Sequence, residues 1–117
     1  MIKYVVTYNY KIKGGNNMEG INVKEAVRLC CLLAGSNIPF EVEGHCGGLV
    51  IKYPSRAKEV CSIIQHQYSY GGTSGRLEIM GLLTPKEEEY DSVVGWLSAD
   101  DVYARIAAHY FKDTREV

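Results

Sequence analysis

The ten residues Gly47–Arg56, GGLVIKYPSR, constrain this chain more than any other stretch. Two glycines release a turn, Leu49, Ile51 and Tyr53 alternate with Val50 and Lys52 as a strand requires, and Pro54 ends the run. Ser55 is a residue type that caps helices. A turn, an interior strand and a helix start are therefore expected in succession, and the segments on either side must supply its neighbours.

Ile2–Lys11 reads as a strand with Ile2, Tyr4, Val6, Tyr8 and Tyr10 on one face. Lys13–Asn22 is a glycine- and asparagine-rich connection. Asn22 and Glu25 stand at capping-box spacing before a helix whose apolar face is expected to hold Val23, Ala26, Val27, Cys30, Cys31 and Ala34, with Gly35 as its stop. Pro39–Glu43 reads as a short strand, and GHCGG at 44–48 turns it into the next one as a hairpin. From Ser55 a second helix is expected, with Ala57, Val60, Cys61, Ile64 and Tyr68 inward and His66 toward solvent. Arg76–Leu83 follows as a strand.

The order strand, helix, strand, strand, helix, strand is the split βαβ pattern of ferredoxin-like domains. The expected fold is α+β: a βαββαβ antiparallel sheet with two helices on one face and the strand at Gly47 lying beside Ile2–Lys11. Thr84, Pro85 and Glu87 start a third helix that Gly95 can end, and Ser98 with Asp101 starts a fourth. Residues 1–117 form one domain, with a core over 1–83 and a two-helix extension over 84–117.

Composition narrows the function. Thirteen basic against fourteen acidic residues leave a net charge of −1, which offers no general attraction for a phosphate backbone. The longest apolar run, Leu29–Ala34, is far shorter than the roughly twenty residues of a membrane span. The amino terminus lacks the hydrophobic core of a signal peptide, so the expected location is cytoplasmic with reduced cysteines.

No motif specifies a reaction. His45 beside Cys46 in the glycine turn is the strongest thiol candidate, but no segment supplies an orienting third group. No metal-ligand spacing is present: Cys30 and Cys31 are adjacent, and Cys61 and His66 are five apart. Tyr70–Arg76, YGGTSGR, has the glycines of a phosphate cradle but leaves a helix and enters a strand, the reverse of the familiar loop. Tyr4, Tyr8 and Tyr53 invite comparison with the stacking platform of RNA-recognition domains, yet His45–Lys52 matches that family's central segment only at Gly48 and Val50.

By elimination, the expected function is that of a small non-enzymatic protein-binding module: a regulator, an adaptor, or an inhibitor of the kind phage and mobile elements encode. Its partner is another protein or a second copy, with no cofactor and no membrane. Tyrosine is abundant, and interface energy concentrates in aromatic anchors, which places contacts at Tyr4, Tyr8, Tyr10, Tyr53 and Trp96. The alternative is a small-ligand or nucleic-acid module using the glycine loops with Arg56 and Arg76. A thiol enzyme built on Cys46 and His45 is the third reading.

Overall fold

Alternation of apolar and polar residues is carried through five successive strands after the first helix. The computed structural model describes residues 5–7 and 21–115, with side chains over 21–112. The elements are β1 (Val5–Thr7), α1 (Lys24–Gly35), β2 (Glu41–His45), β3 (Gly48–Tyr53), β4 (Cys61–Gln65), β5 (Leu77–Met80), α2 (Pro85–Glu88), β6 (Val93–Leu97) and α3 (Ala99–Arg115). A single 3-10 turn occupies Gly72–Ser74. The strands lie in consecutive order, β2 to β6 antiparallel and β1 parallel to β2 at one edge.

The fold is therefore α+β, but its strand order is not that of a split βαβ domain, where the first and third strands would be neighbours. β3 is interior as expected, yet it lies between β2 and β4, with β2 separating it from β1. The difference begins at Ser55. Its hydroxyl accepts the Lys58 N–H and the Val60 N–H bonds the Tyr53 carbonyl, so the cap residue closes a loop over 54–60. The chain then forms β4. Cys61, Ile63 and Gln65 point inward at period two, and the β-branched residues Ile63 and Ile64 fit a pleated surface between two partners better than a helix.

A second difference lies in the expected two-helix extension. Thr84 and Glu87 do form a reciprocal capping box, but α2 ends after one turn. Val93–Leu97 becomes β6, and its branched and aromatic residues complete the sheet edge. Ser98 and Asp101 cap α3 as expected, each side chain bonding the other's backbone N–H.

α1 and α3 pack on one face of the sheet. Ala26, Leu29 and Leu33 of α1 and Ala99, Val102 and Ile106 of α3 meet Val42, Leu49, Ile51, Tyr53, Cys61, Ile63, Leu77 and Ile79. Each fully buried Leu or Ile contributes about 1.5–3 kcal/mol by leaving water. The α1 stripe is rotated from the expected one: Leu29 and Leu33 point inward, whereas Val27 and Cys31 face solvent. Glu25 does not close a box with Asn22. The Asn22 Oδ1 accepts the Lys24 N–H, and Glu25 reaches across to accept the Ala99 N–H at the start of α3.

Gln65 ties this layer together. Its fully buried side chain accepts the Ala26 N–H and donates to the carbonyls of Asn22 and Gly72, which joins β4, the start of α1 and the loop after β4.

Arg105 of α3 grips the Glu87 carboxylate with both terminal nitrogens, at 2.8 and 2.7 Å, and bonds the Leu82 carbonyl. The guanidinium first, and then the Thr84 N–H, hold the Glu87 carboxyl down at about 2, against an ordinary 4.5. A depressed carboxylate stabilises the folded state above its unfolded pKa and ceases to do so as pH falls through the folded value. Wild type should therefore exceed Glu87→Gln in stability by a constant margin above about pH 5, and the margin should shrink to nothing between about pH 4 and 2. Urea midpoints of the two proteins across that range measure it.

Candidate functional site

Among the described residues, no helix packs on the second face of the sheet. Strand alternation sends Glu41, Glu43 and His45 of β2, Val50 and Lys52 of β3, Ser62 and Ile64 of β4, and Glu78 and Met80 of β5 to that side. A pocket of about 360 Å³ opens there on a floor of Val50, Ser62 and Ile64, walled by Glu43, His45, Lys52, Arg56, Glu59 and His66.

The loop over 54–60 supplies one wall and fixes its charges. The Arg56 N–H bonds Glu41 at 2.9 Å and its guanidinium bonds Glu43 at 3.1 Å, while Lys52 pairs with Glu59 at 3.0 Å. Partly exposed pairs of this kind are each worth about 0–1 kcal/mol, so an incoming charged group can exchange for one at little cost.

At the hairpin end of the pocket, three side chains converge. His45 pairs with Gly48 across the β2–β3 turn, and His66 follows directly on Gln65, the β4 residue opposite Leu49. Gly48 packs closely on the Gln65 backbone and puts no side chain between the two rings. The two imidazoles lean toward each other across it, with ring centroids 5.5 Å apart. Cys46, between His45 and Gly47 in the turn, brings its thiol to the same place: one ligand atom from each of His45, Cys46 and His66 lies within 4.8 Å of the others.

His66 is buried, and its Nδ1 accepts the Tyr68 N–H at 3.0 Å, so the neutral ring carries its proton on Nε2. Burial, and secondarily the neighbouring His45, lower its pKa. Cys46 has φ 50 and Gly47 φ 77, the pair of positive angles that a two-residue hairpin turn needs. Asparagine or glycine suits the first of these positions, and a side chain such as cysteine is held there at a cost of about 1 kcal/mol. The other thiols differ in setting. Burial pushes Cys30 and Cys61 up to about 12, leaving them inert, while Cys31 is exposed on α1.

The far end of the sheet is aromatic. β6 carries a register shift opposite β5, and there Trp96 sits at φ 60 with 63% of its surface exposed. Its N–H bonds the Tyr70 carbonyl, and Gly71 lies so close that a Cβ would meet the Trp96 Cα and indole at 3.1 Å. Gly95 in turn lies against Tyr70, whose Cβ would stand 2.2 Å from an added Cβ. Glu78 accepts the Tyr70 N–H and completes the anchorage. Tyr68, Tyr70 and Met80 are also exposed.

Of the residues expected to form a site, Tyr53 is buried under α3, with its hydroxyl 2.7 Å from His109 Nδ1; its ring belongs to the core, not to a contact surface. Arg56 lines the pocket, Trp96 is exposed, and Arg76 is exposed at the start of β5 away from the pocket. Tyr4, Tyr8 and Tyr10 lie outside the described residues. YGGTSGR forms the 3-10 turn, and its Gly72 carbonyl is taken by Gln65. The expectation that His66 faces solvent from a helix is corrected: it lies just past the end of β4, buried beside His45. The Ser62, Ile64, His66 alternation in the sequence carries that signal, as does the Tyr68–Tyr70 pair for the aromatic end. Comparison with protein-family models, with curated proteins and with solved structures found no match.

Proposed function

We propose that this protein is a small non-enzymatic binding module that recognises another protein through the second face of its sheet, with Trp96 and Tyr70 as aromatic anchors. The observation that carries this reading is Trp96, displayed to solvent on a left-handed backbone. A bulky residue at positive φ costs about 1–2 kcal/mol, and an exposed indole returns little of that through burial. Such strain is understandable where the side chain is needed for contact. Tryptophan and tyrosine dominate interface energetics, and anchors already fixed by close glycine packing lose little freedom on binding. The paired charges around Arg56 and Lys52 would set register against a partner of mixed charge.

A second reading rests on the pocket itself. Its volume falls within the usual range of small-ligand sites, and Arg56 and Lys52 suit an anionic ligand. Salt separates the two: an anion contact weakens steeply with added salt, and an aromatic interface does not.

The test is the affinity for the partner that co-purifies from the native source. Trp96→Ala and Tyr70→Ala should each weaken it by about 2 kcal/mol or more, roughly thirtyfold, while Tyr90→Ala, at a still more exposed ring, leaves it unchanged. Unaltered affinity in Trp96→Ala would remove the proposal.

A further inference from the structure

We infer that His45, Cys46 and His66 form a three-ligand site for a zinc-class divalent cation at the rim of the sheet pocket. The inference does not depend on the protein partner proposed above. Two imidazoles and a thiolate are the donor set that borderline cations prefer, and three protein ligands with one position open is a common zinc arrangement. The open position borders the pocket, because both histidines line it.

Three features assemble the site without reference to chemistry. Strand register pairs His45 with Gly48, and His66 follows directly on Gln65, the β4 residue opposite Leu49, which brings the two histidine rings to 5.5 Å. Gly48 has no room for a side chain, since a Cβ there would lie 1.9 Å from the Gln65 carbonyl oxygen, so no side chain at this position comes between the imidazoles. The thiol is then carried by the one turn position where asparagine or glycine would be the more stable choice. Backbone strain tolerated at a residue whose side chain joins two histidines is the sign of a site that is used.

The ligand atoms lie within 4.8 Å of one another. A tetrahedral ion with bonds of 2.0–2.3 Å holds its donors about 3.3–3.8 Å apart, so side-chain rotation must close about 1 Å. His45 and Cys46 are exposed on the turn and have the freedom to do so. At His66 the ion competes with the Tyr68 N–H for Nδ1 or with the proton on Nε2. On Nδ1 the ion displaces the Tyr68 N–H, and on Nε2 it sends the ring proton to Nδ1, which breaks the same hydrogen bond; binding therefore releases one proton, that of the Cys46 thiol, and frees the Tyr68 amide.

Titration of the full-length chain with Co²⁺, followed by displacement with Zn²⁺, tests the site. Wild type should take up one equivalent with the intense visible bands of four-coordinate cobalt and a thiolate-to-cobalt charge-transfer band, both removed by Zn²⁺. Cys46→Ser should abolish the charge-transfer band. His45→Gln should weaken Zn²⁺ binding by more than the 10–100-fold typical of losing a supporting group. Cys31→Ser, which removes the other exposed thiol, should change neither. Cys46→Asn should raise the unfolding midpoint of the metal-free protein while eliminating binding, which separates loss of the site from loss of the fold. No charge-transfer band in wild type, or a band that survives Cys46→Ser and disappears with Cys31→Ser, overturns the inference.

Discussion

Gly48→Ala should destabilise the protein by about 3 kcal/mol or more, a large part of the 5–15 kcal/mol that holds a domain of this size together. The added methyl would meet the Gln65 carbonyl oxygen at 1.9 Å and the His66 Cα at 2.8 Å. Both are backbone atoms, of the last residue of β4 and of the residue after it, so no side-chain rotation can relieve the contact, and the β3–β4 ladder must separate at its end. Gly44→Ala, four residues earlier in the same hairpin, is the control. Its Cβ meets nothing closer than 3.9 Å, and its effect should stay within about 1 kcal/mol. Urea unfolding of the two variants should give midpoints far apart. Equal midpoints would mean that β3 and β4 are not packed as described.

Gln65→Leu should cost about 3–5 kcal/mol. The leucine is apolar and of similar size, so the loss comes from polar groups rather than from a cavity. The Ala26 N–H loses its buried acceptor and the Asn22 carbonyl loses its Gln65 donor, while the Gly72 carbonyl keeps only the Gly75 N–H. Each buried group left unpaired costs about 1–3 kcal/mol. Hydrogen exchange gives a local readout besides the unfolding midpoint: the Ala26 amide should lose protection first, since it sits in the first turn of α1 and has no earlier turn to bond. A stability loss below about 1 kcal/mol would show that water or another side chain takes over these groups.

The parts of the fold legible in the sequence are those fixed by residues close together in the chain. The capping pairs Thr84/Glu87 and Ser98/Asp101 form as their spacing requires. The GHCGG segment makes a two-residue hairpin turn, and Phe40 and Val42 face inward from β2 and the residue before it. What was not legible depends on partners distant in sequence. Residues 56–68 can be written on a helix with Val60, Cys61 and Ile64 in one stripe, or on a strand with Cys61, Ile63 and Gln65 in one row. The choice is made by β3 and β5, which offer unpaired edges on either side. Val93–Leu97 is settled in the same way by the free side of β5, although Gly95 alone looks like a helix stop.

The site was less legible than the fold, for the same reason. His45 and Cys46 stand out as neighbours in a glycine turn, but their third member, His66, joins them only once β4 is a strand. Trp96 was expected at a contact surface from its residue type. The backbone angle that displays it, and its fixation by Gly71, Tyr70 and Gly95, required the sheet. Tyr53 shows the limit of composition: it shares a residue type with surface anchors, yet the register of β3 turns it under α3, where His109 meets its hydroxyl.

Trp96 is the only tryptophan of the chain, so its fluorescence reports on the proposed surface without labelling. The most direct measurement is acrylamide quenching of that emission in the isolated protein at dilute concentration and in the complex recovered from its native source. A red-shifted, readily quenched tryptophan is expected in the free protein and a blue-shifted, shielded one in the complex. A tryptophan already shielded in the free monomer, or one quenched equally in both states, would contradict it.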